Sequence, residues 1–210
     1  MASKVNTAAS KTEKNISEAT VVRGLVIRHV HLRVVGDSNL VVHAWAEKSK
    51  QMIRDKQAKK AKGGKEIRSP EAEYEAAFYR MPEGSATPYG FPSVAFKSVI
   101  VGAARWSDGM KMTELRGALH VEGDLVPIFG TPIMREDMVR VGMGSADLRY
   151  RPDFGANWWA ILPIRYNASA ISLEQIVYLL NLGGFGIGVG EFRPEKNGSW
   201  GQFHVATEEE

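Results

Sequence analysis

The sequence predicts an α+β fold built on an antiparallel sheet, and three observations carry that expectation. An alternating apolar and polar segment near residue 30 has the period of a half-buried strand. Two helices are marked further on, one apolar almost all round and one behind a capping box. With 44% hydrophobic residues in 210, the chain can bury one sizeable core.

The elements follow in order. In the first strand, over 23–35, Val30, Leu32 and Val34 alternate with His29, His31 and Arg33. One face is therefore apolar, and the other carries two imidazoles and a guanidinium. The turn-rich Gly36-Asp37-Ser38-Asn39 and the run Leu40-Val41-Val42 lead to Trp45 and a helical stretch over 44–61, ended by Gly63-Gly64. Trp45, Met52 and Ile53 are its few apolar anchors, so it is weakly tied to a core and suited to ordering on an acidic partner. Ser69-Pro70-Glu71 starts a helix to 79: a capping serine, proline in the first turn and an acid at the positive end of the dipole. A loop over 81–90 follows, and Phe91-Pro92-Ser93 opens the apolar core helix, 94–106.

Residues 111–116 suggest one helical turn. The segments 118–121 and 125–129 flank Glu122-Gly123-Asp124, a hairpin signal. The stretch 131–146 fits no pattern. The segments 147–150 and 158–166 read as strands paired around a 152–157 loop. Ser172-Leu173-Glu174-Gln175 caps a helix to 181 that stops at Gly183-Gly184. A glycine-rich segment, an Asn197-Gly198 turn and a strand over 201–205 close the chain. Without insertions at 36–90 (a basic helical arm) and 107–146, the order is βαββαβ. That is the order of ferredoxin-like and RNA-recognition-motif (RRM-like) domains, with an antiparallel sheet and two large insertions in one domain over 23–206. Residues 1–22 read as a disordered leader and 207–210 as an acidic tail.

Composition narrows the function. Zero cysteines exclude disulfides, thiolate catalysis and Cys-ligated metal. No apolar run approaches the roughly 20 residues of a membrane span, and the polar N-terminus lacks a secretory h-region, so the expected location is the cytoplasm. The net charge is only +3, but it is unevenly placed. Residues 48–68 hold nine cations (Lys48, Lys50, Arg54, Lys56, Lys59, Lys60, Lys62, Lys65, Arg68) against Asp55 and Glu66. This local +7 leaves −4 for the rest of the chain. Such a run repels itself, and an anionic partner relieves the repulsion while releasing counterions. Membranes need a larger apolar face than this arm has, so nucleic acid is the favoured partner.

Rings beside cations extend that reading: Arg105-Trp106, Tyr89-Gly90-Phe91, and Arg193, Lys196 and Trp200 near Phe192. Lys97 is one of two cations in the core helix. The stretch 184–190 has the letters of a dinucleotide fingerprint but follows a helix instead of a strand, which rejects that reading. Its alternating glycines either leave a bare extended face for another backbone or supply a loop with unusual dihedrals. His29 and His31 lack the further ligands of a metal site, and His43, His120 and His204 stand alone. No catalytic constellation or cofactor motif is present.

Two segments resemble the RAMP superfamily, the repeat-associated proteins of CRISPR effector complexes. They are Phe91-Pro92-Ser93-Val94-Ala95-Phe96-Lys97-Ser98 with Ala103-Ala104-Arg105, and Gly183-Gly184-Phe185-Gly186 with Gly198-Ser199-Trp200-Gly201-Gln202-Phe203. Ser98 replaces the family's glycine after the lysine, and Glu191, Phe192 and Arg193 stand where its glycine loop carries arginines. The chain as a whole is similar to a family of uncharacterised bacteriophage proteins through 43–48, 69–76, 134–140 and 190–198. That resemblance implies a replication or recombination accessory, or a counter-defence protein, working in the host cytoplasm.

Together these readings predict a non-enzymatic protein that binds single-stranded nucleic acid, DNA in preference to RNA. The arm tracks phosphates, and His29, His31 and Arg33 with nearby rings meet bases. Homo-oligomeric assembly along the strand is expected, with no cofactor, metal, membrane or small-molecule substrate. The alternatives are a RAMP-type RNA-binding subunit or metal-independent ribonuclease, and a phage structural or assembly protein.

Overall fold

The computed structural model describes residues 24–44, 53–54, 57–58, 69–141 and 144–207. The leader and all of the basic arm except Ile53, Arg54, Gln57 and Ala58 lie outside them, as does the end of the acidic tail.

The chain forms a mixed α+β structure around an antiparallel sheet. Strand β1 (Ile27–Gly36) is central, between β8 (Trp159–Asn167) and the short β9 (Phe203–Val205). On the far side of β8 lie β4 (Leu119–Val121) and β5 (Leu125–Phe129), then β3 (Tyr89–Pro92) and β2 (Tyr79–Arg80) beyond β5. Alternation decides what each strand buries. Val30, Leu32 and Val34 of β1 and Ala160, Leu162, Ile164 and Tyr166 of β8 point to one face. There they meet two helices, α2 (Ser93–Ala103) and α4 (Leu173–Gly186), through Phe96, Val99, Ile100, Ile176, Leu179 and Leu180. Helix α1 (Pro70–Ala76) has the predicted Ser69 cap, and the Ser172/Gln175 capping box on α4 is complete. Helix α3 (Met112–Ala118) fills the predicted turn after 111.

Four local expectations are corrected. Glu122-Gly123-Asp124 does not reverse the chain. Strands β4 and β5 run the same way along one edge of β8, and between the Val121–Ile164 and Ile128–Ala160 pairs one side advances seven residues while β8 advances four. The extra residues form a bulge turned by Gly123 at φ 80°. Second, residues 147–150 do not pair with 158–166. They belong to β7 (Ser145–Asp153), whose partner is β6 (Ile133–Val141), the stretch without a legible pattern. This hairpin stands apart from the main sheet, anchored where Val42 and Phe154 exchange backbone hydrogen bonds with Pro152 and Leu40. Third, the helix after Ser172 runs on through Gly183 and Gly184 to Gly186. Fourth, the helix from Ser69 ends at Ala76, because Tyr79 and Arg80 pair with β3.

The third correction also explains the glycines. A Cβ on Gly183 would lie 2.6 Å from Val99 of α2, and one on Gly184 would lie 2.0 Å from the Phe203 carbonyl oxygen. The bare face is filled by the protein's own α2 and β9, and no bare extended glycine face remains. Farther along, Gly188 (φ 67°) and Gly190 (φ 80°) take the loop conformations of the other reading.

Gly184→Ala is expected to cost about 1–3 kcal/mol or more, since the obstacle is backbone. Gly117→Ala, in α3 with nothing within 4 Å of its Cβ, is expected to stabilise by about 0.5–1 kcal/mol. Denaturant unfolding of both variants checks the contrast.

Candidate nucleic-acid interface

The residues that alternate with the core positions form the sheet's second face, opposite α2 and α4. In β1 these are His29, His31, Arg33 and Val35, and their partners on β8 are Arg165, Pro163, Ile161 and Trp159. Phe129 of β5 pairs with Trp159, and the two rings stack at 3.8 Å with planes 5° apart. The Arg33 guanidinium lies 4.8 Å from the Trp159 ring centre. Phe129, Trp159 and Arg33 thus form a row across three strands.

A second row crosses the sheet's other end. His29 and His120 both pair with Arg165. Glu122, on the bulge, reaches His29 Nδ1 at 3.3 Å and Arg165 Nε at 3.7 Å. Lys97 extends from α2, donates to the Arg116 carbonyl at 2.9 Å, and brings its Nζ 3.2 Å from His120 Nδ1. Burial first, then Lys97 and Arg165, hold the His120 pKa below the ordinary 6.5. His120 therefore does not stand alone. Nor does His204, opposite Val35, whose Nδ1 lies 2.7 Å from Asp37.

The C-terminal candidates sit elsewhere. Arg193, Lys196 and Trp200 line an open cleft of about 630 Å³ with Arg135, Arg151 and Phe192, between the root of the β6–β7 hairpin and the 190–200 loop. Here the arginines are matched by acids. Arg135 grips Asp137 through Nε at 2.9 and 3.0 Å and reaches Asp153 at 3.2 Å, and its guanidinium stacks 4.2 Å from the Trp200 ring centre. The buried Arg151 contacts Asp137 at 2.8 Å and Glu191 at 3.3 Å. Arg193 bonds Glu195 at 3.0 Å and the Gly190 carbonyl at 3.3 Å, and Arg105 approaches the same Glu195 at 3.5 Å. Trp106 lies against Gly186, where a Cβ would sit 2.8 Å from the ring. Phe91 is a core residue that meets Tyr79 and Phe96 edge-on, and the half-buried Tyr89 packs against the core by stacking on Phe78.

The structure thus gathers His29, His31 and Arg33 on one face, with Lys97 at its margin through His120, and places Arg105, Trp106, Arg193, Lys196 and Trp200 around the loop. Of the arm, Arg54 is exposed; Lys48, Lys50, Lys56, Lys59, Lys60, Lys62 and Lys65 lie outside the described residues. Phe129, Trp159, Arg165 and Arg135 were missed by sequence reasoning. The one available signal was Trp158-Trp159 in a strand, since alternation must turn one of the pair outward. Among the described residues no group of three His, Asp or Glu side chains gathers to hold a metal, and no described helix is long and apolar enough to cross a membrane.

The fold and site define an α+β domain with helices on one sheet face and a cationic, aromatic surface on the other. No protein-family model matches the chain, and no curated protein does. Among solved structures it is similar to Cmr6 from Pyrococcus furiosus, over 87% of this chain and 100% of that one, at 10% identity and a TM-score of 0.47.

A second cavity, of about 310 Å³, opens beside His43, Tyr79, Ser98, Glu191 and Arg193. Burial, the largest cause, pulls the His43 pKa below 6.5; Glu191 opposes the shift, and Arg151 and Arg149 reinforce it. A depressed folded value means that the fold prefers the neutral imidazole. The stability this gives is complete above 6.5 and is lost as pH falls through the folded value; His120 acts in the same direction. The urea midpoint should fall less between pH 7.5 and pH 5 in His43→Asn than in the unmodified protein.

Proposed function

We propose that the protein binds single-stranded nucleic acid on the open sheet face, with the 48–68 arm supplying phosphate contacts. The observation that carries this reading is the Phe129–Trp159–Arg33 row, on the face that also holds His29, His31 and Arg165. Rings on a sheet offer stacking surface that tolerates any base, and cations beside them meet the backbone. On this reading the strand order β9-β1-β8-β4/β5, with α2 and α4 on one face, is that of a ferredoxin-like, RRM-like domain, its second strand coming from β4/β5 within the 107–146 segment expected to be an insertion, and not from 147–150. A single strand is favoured because stacking needs bases free of a duplex, and DNA is the preferred strand. The protein acts without catalysis, and several copies line one strand.

The test is fluorescence anisotropy of labelled single-stranded oligonucleotides against salt. Arg33→Ala and Trp159→Ala are each expected to weaken binding about tenfold, in line with roughly 1–3 kcal/mol per stacked base. Lys111→Ala, at the N-cap of α3 and paired with Glu114, is expected to leave affinity nearly unchanged. Changing Lys59, Lys60 and Lys62 to Ala should flatten the log–log salt slope by about two, since each phosphate contact on a single strand adds about 0.7. A salt-independent affinity would sink the proposal.

A second reading draws on two imidazole–carboxylate pairs, His29 with Glu122 and His204 with Asp37. Each could serve as a general base in metal-independent RNA cleavage. Cleavage in EDTA that disappears in His29→Ala or His204→Ala would favour it, and intact RNA hairpins after long incubation would remove it.

A further inference from the structure

The β6–β7 hairpin has a two-sided pattern. Its register pairs Met134 with Pro152, Glu136 with Tyr150, Met138 with Leu148 and Arg140 with Ala146, so these residues share one face. The other face carries the acids and arginines of the Arg135–Asp137–Arg151–Asp153 network. Met138 is 78% exposed and Met134 47%. Among the described residues, β6 has a partner strand on one side, β7, and none along its outer edge. A two-stranded ribbon with an apolar face in water is marginal alone, and an open edge is a template for another strand.

The sequence of that edge selects the partner. On the apolar face β6 reads Met134, Glu136, Met138, Arg140, with an acid two residues before Met138 and a base two residues after. An antiparallel copy centred on Met138 sets Glu136 of each chain opposite Arg140 of the other, and Met138 opposite Met138. Opposite charges directly across an antiparallel pair stabilise it, and like charges there destabilise it.

We propose that the outer edge of β6 is a homodimer interface, pairing antiparallel with a second copy of this chain about a two-fold axis at Met138. The two hairpins then form one four-stranded sheet, with the Met134 and Met138 side chains of both copies on one continuous face. A two-fold contact closes on itself, so assembly stops at the dimer through this edge. The charges within the pattern hold the register, because a slip of two residues loses both ion pairs.

Sedimentation across a concentration series gives the first readout. The unmodified protein is expected to dimerise. Glu136→Arg and Arg140→Glu should each raise the dissociation constant about tenfold or more, because each places like charges opposite one another twice. The double variant E136R/R140E restores complementarity and should recover most of the affinity. A monomer at every concentration overturns the proposal, as does a double variant no tighter than the single ones.

The chain's lack of cysteine permits a second readout that does not depend on the charge variants. Residues directly opposite in an antiparallel pair lie about 4.5–5.5 Å apart at Cα, within disulfide reach. Met138→Cys should form a covalent dimer under mild oxidation, and Arg140→Cys, four residues from its own copy in this register, should not. Cross-linking of Arg140→Cys but not Met138→Cys, or of neither, overturns the register.

Discussion

The end of the sheet that carries the candidate interface depends on how Trp158 is seated. Its ring is fully buried, its indole Nε1 donates to the Ser38 carbonyl at 2.9 Å, and it occupies the space a Cβ on Gly36 would need, 2.1 Å away. Gly36 N also donates to the Trp158 carbonyl at 2.7 Å. The strand ends of β1 and β8 are thereby clamped. The ring's neighbour Phe203, 6.1 Å away edge-on, ties in β9, and Phe96 continues the contact into α2. A buried aromatic with its one polar atom satisfied adds core area without an unmet hydrogen bond. Because successive residues of a strand face opposite ways, seating Trp158 inward obliges Trp159 to face outward beside Phe129 and Arg33. One packing decision builds both the core and the candidate interface.

The arginines divide into two populations. Around the 190–200 loop and the hairpin root, Arg135, Arg151, Arg193 and Arg105 are matched to Asp137, Asp153, Glu191 and Glu195, so an incoming phosphate would have to displace a carboxylate already in contact. On the open sheet face, Glu122 is shared between His29 and Arg165 while Arg33 lies over a ring. Cations held by carboxylates position the loop. Sequence proximity of a base to an aromatic, the signal that singled out Arg105-Trp106 and Arg193 with Trp200, does not separate the two populations, because the deciding acids come from elsewhere in the chain.

Local chemistry was legible and long-range pairing was not. The alternation in β1, the Ser69 and Ser172 caps, the apolar core helix and the strand in 158–166 follow from adjacent residues, and the structure has them. The partner of β7 did not follow, since β6 carries charges on both faces, Arg135 and Asp137 on one and Glu136 and Arg140 on the other, and has neither a strand's nor a helix's clean apolar period. The helical Gly183-Gly184 pair also ran against local preference: glycine disfavours helix, and close packing against Val99 and Phe203 overrides that cost. For the candidate site, His29, His31 and Arg33 were visible in one strand. Phe129, Trp159 and Arg165 needed the sheet order to be brought to them.

The bulge at 122–124 works as a phase shifter. Before it the inward residues of the strand are odd-numbered, Leu119 and Val121; after it they are even-numbered, Val126 and Ile128. Its length therefore carries information that its composition does not. Losing or gaining two residues there would leave both halves in phase, whereas a single-residue change would turn Ile128 to water and drive Phe129 into the core. Natural variation in the length of this loop should thus come in steps of two.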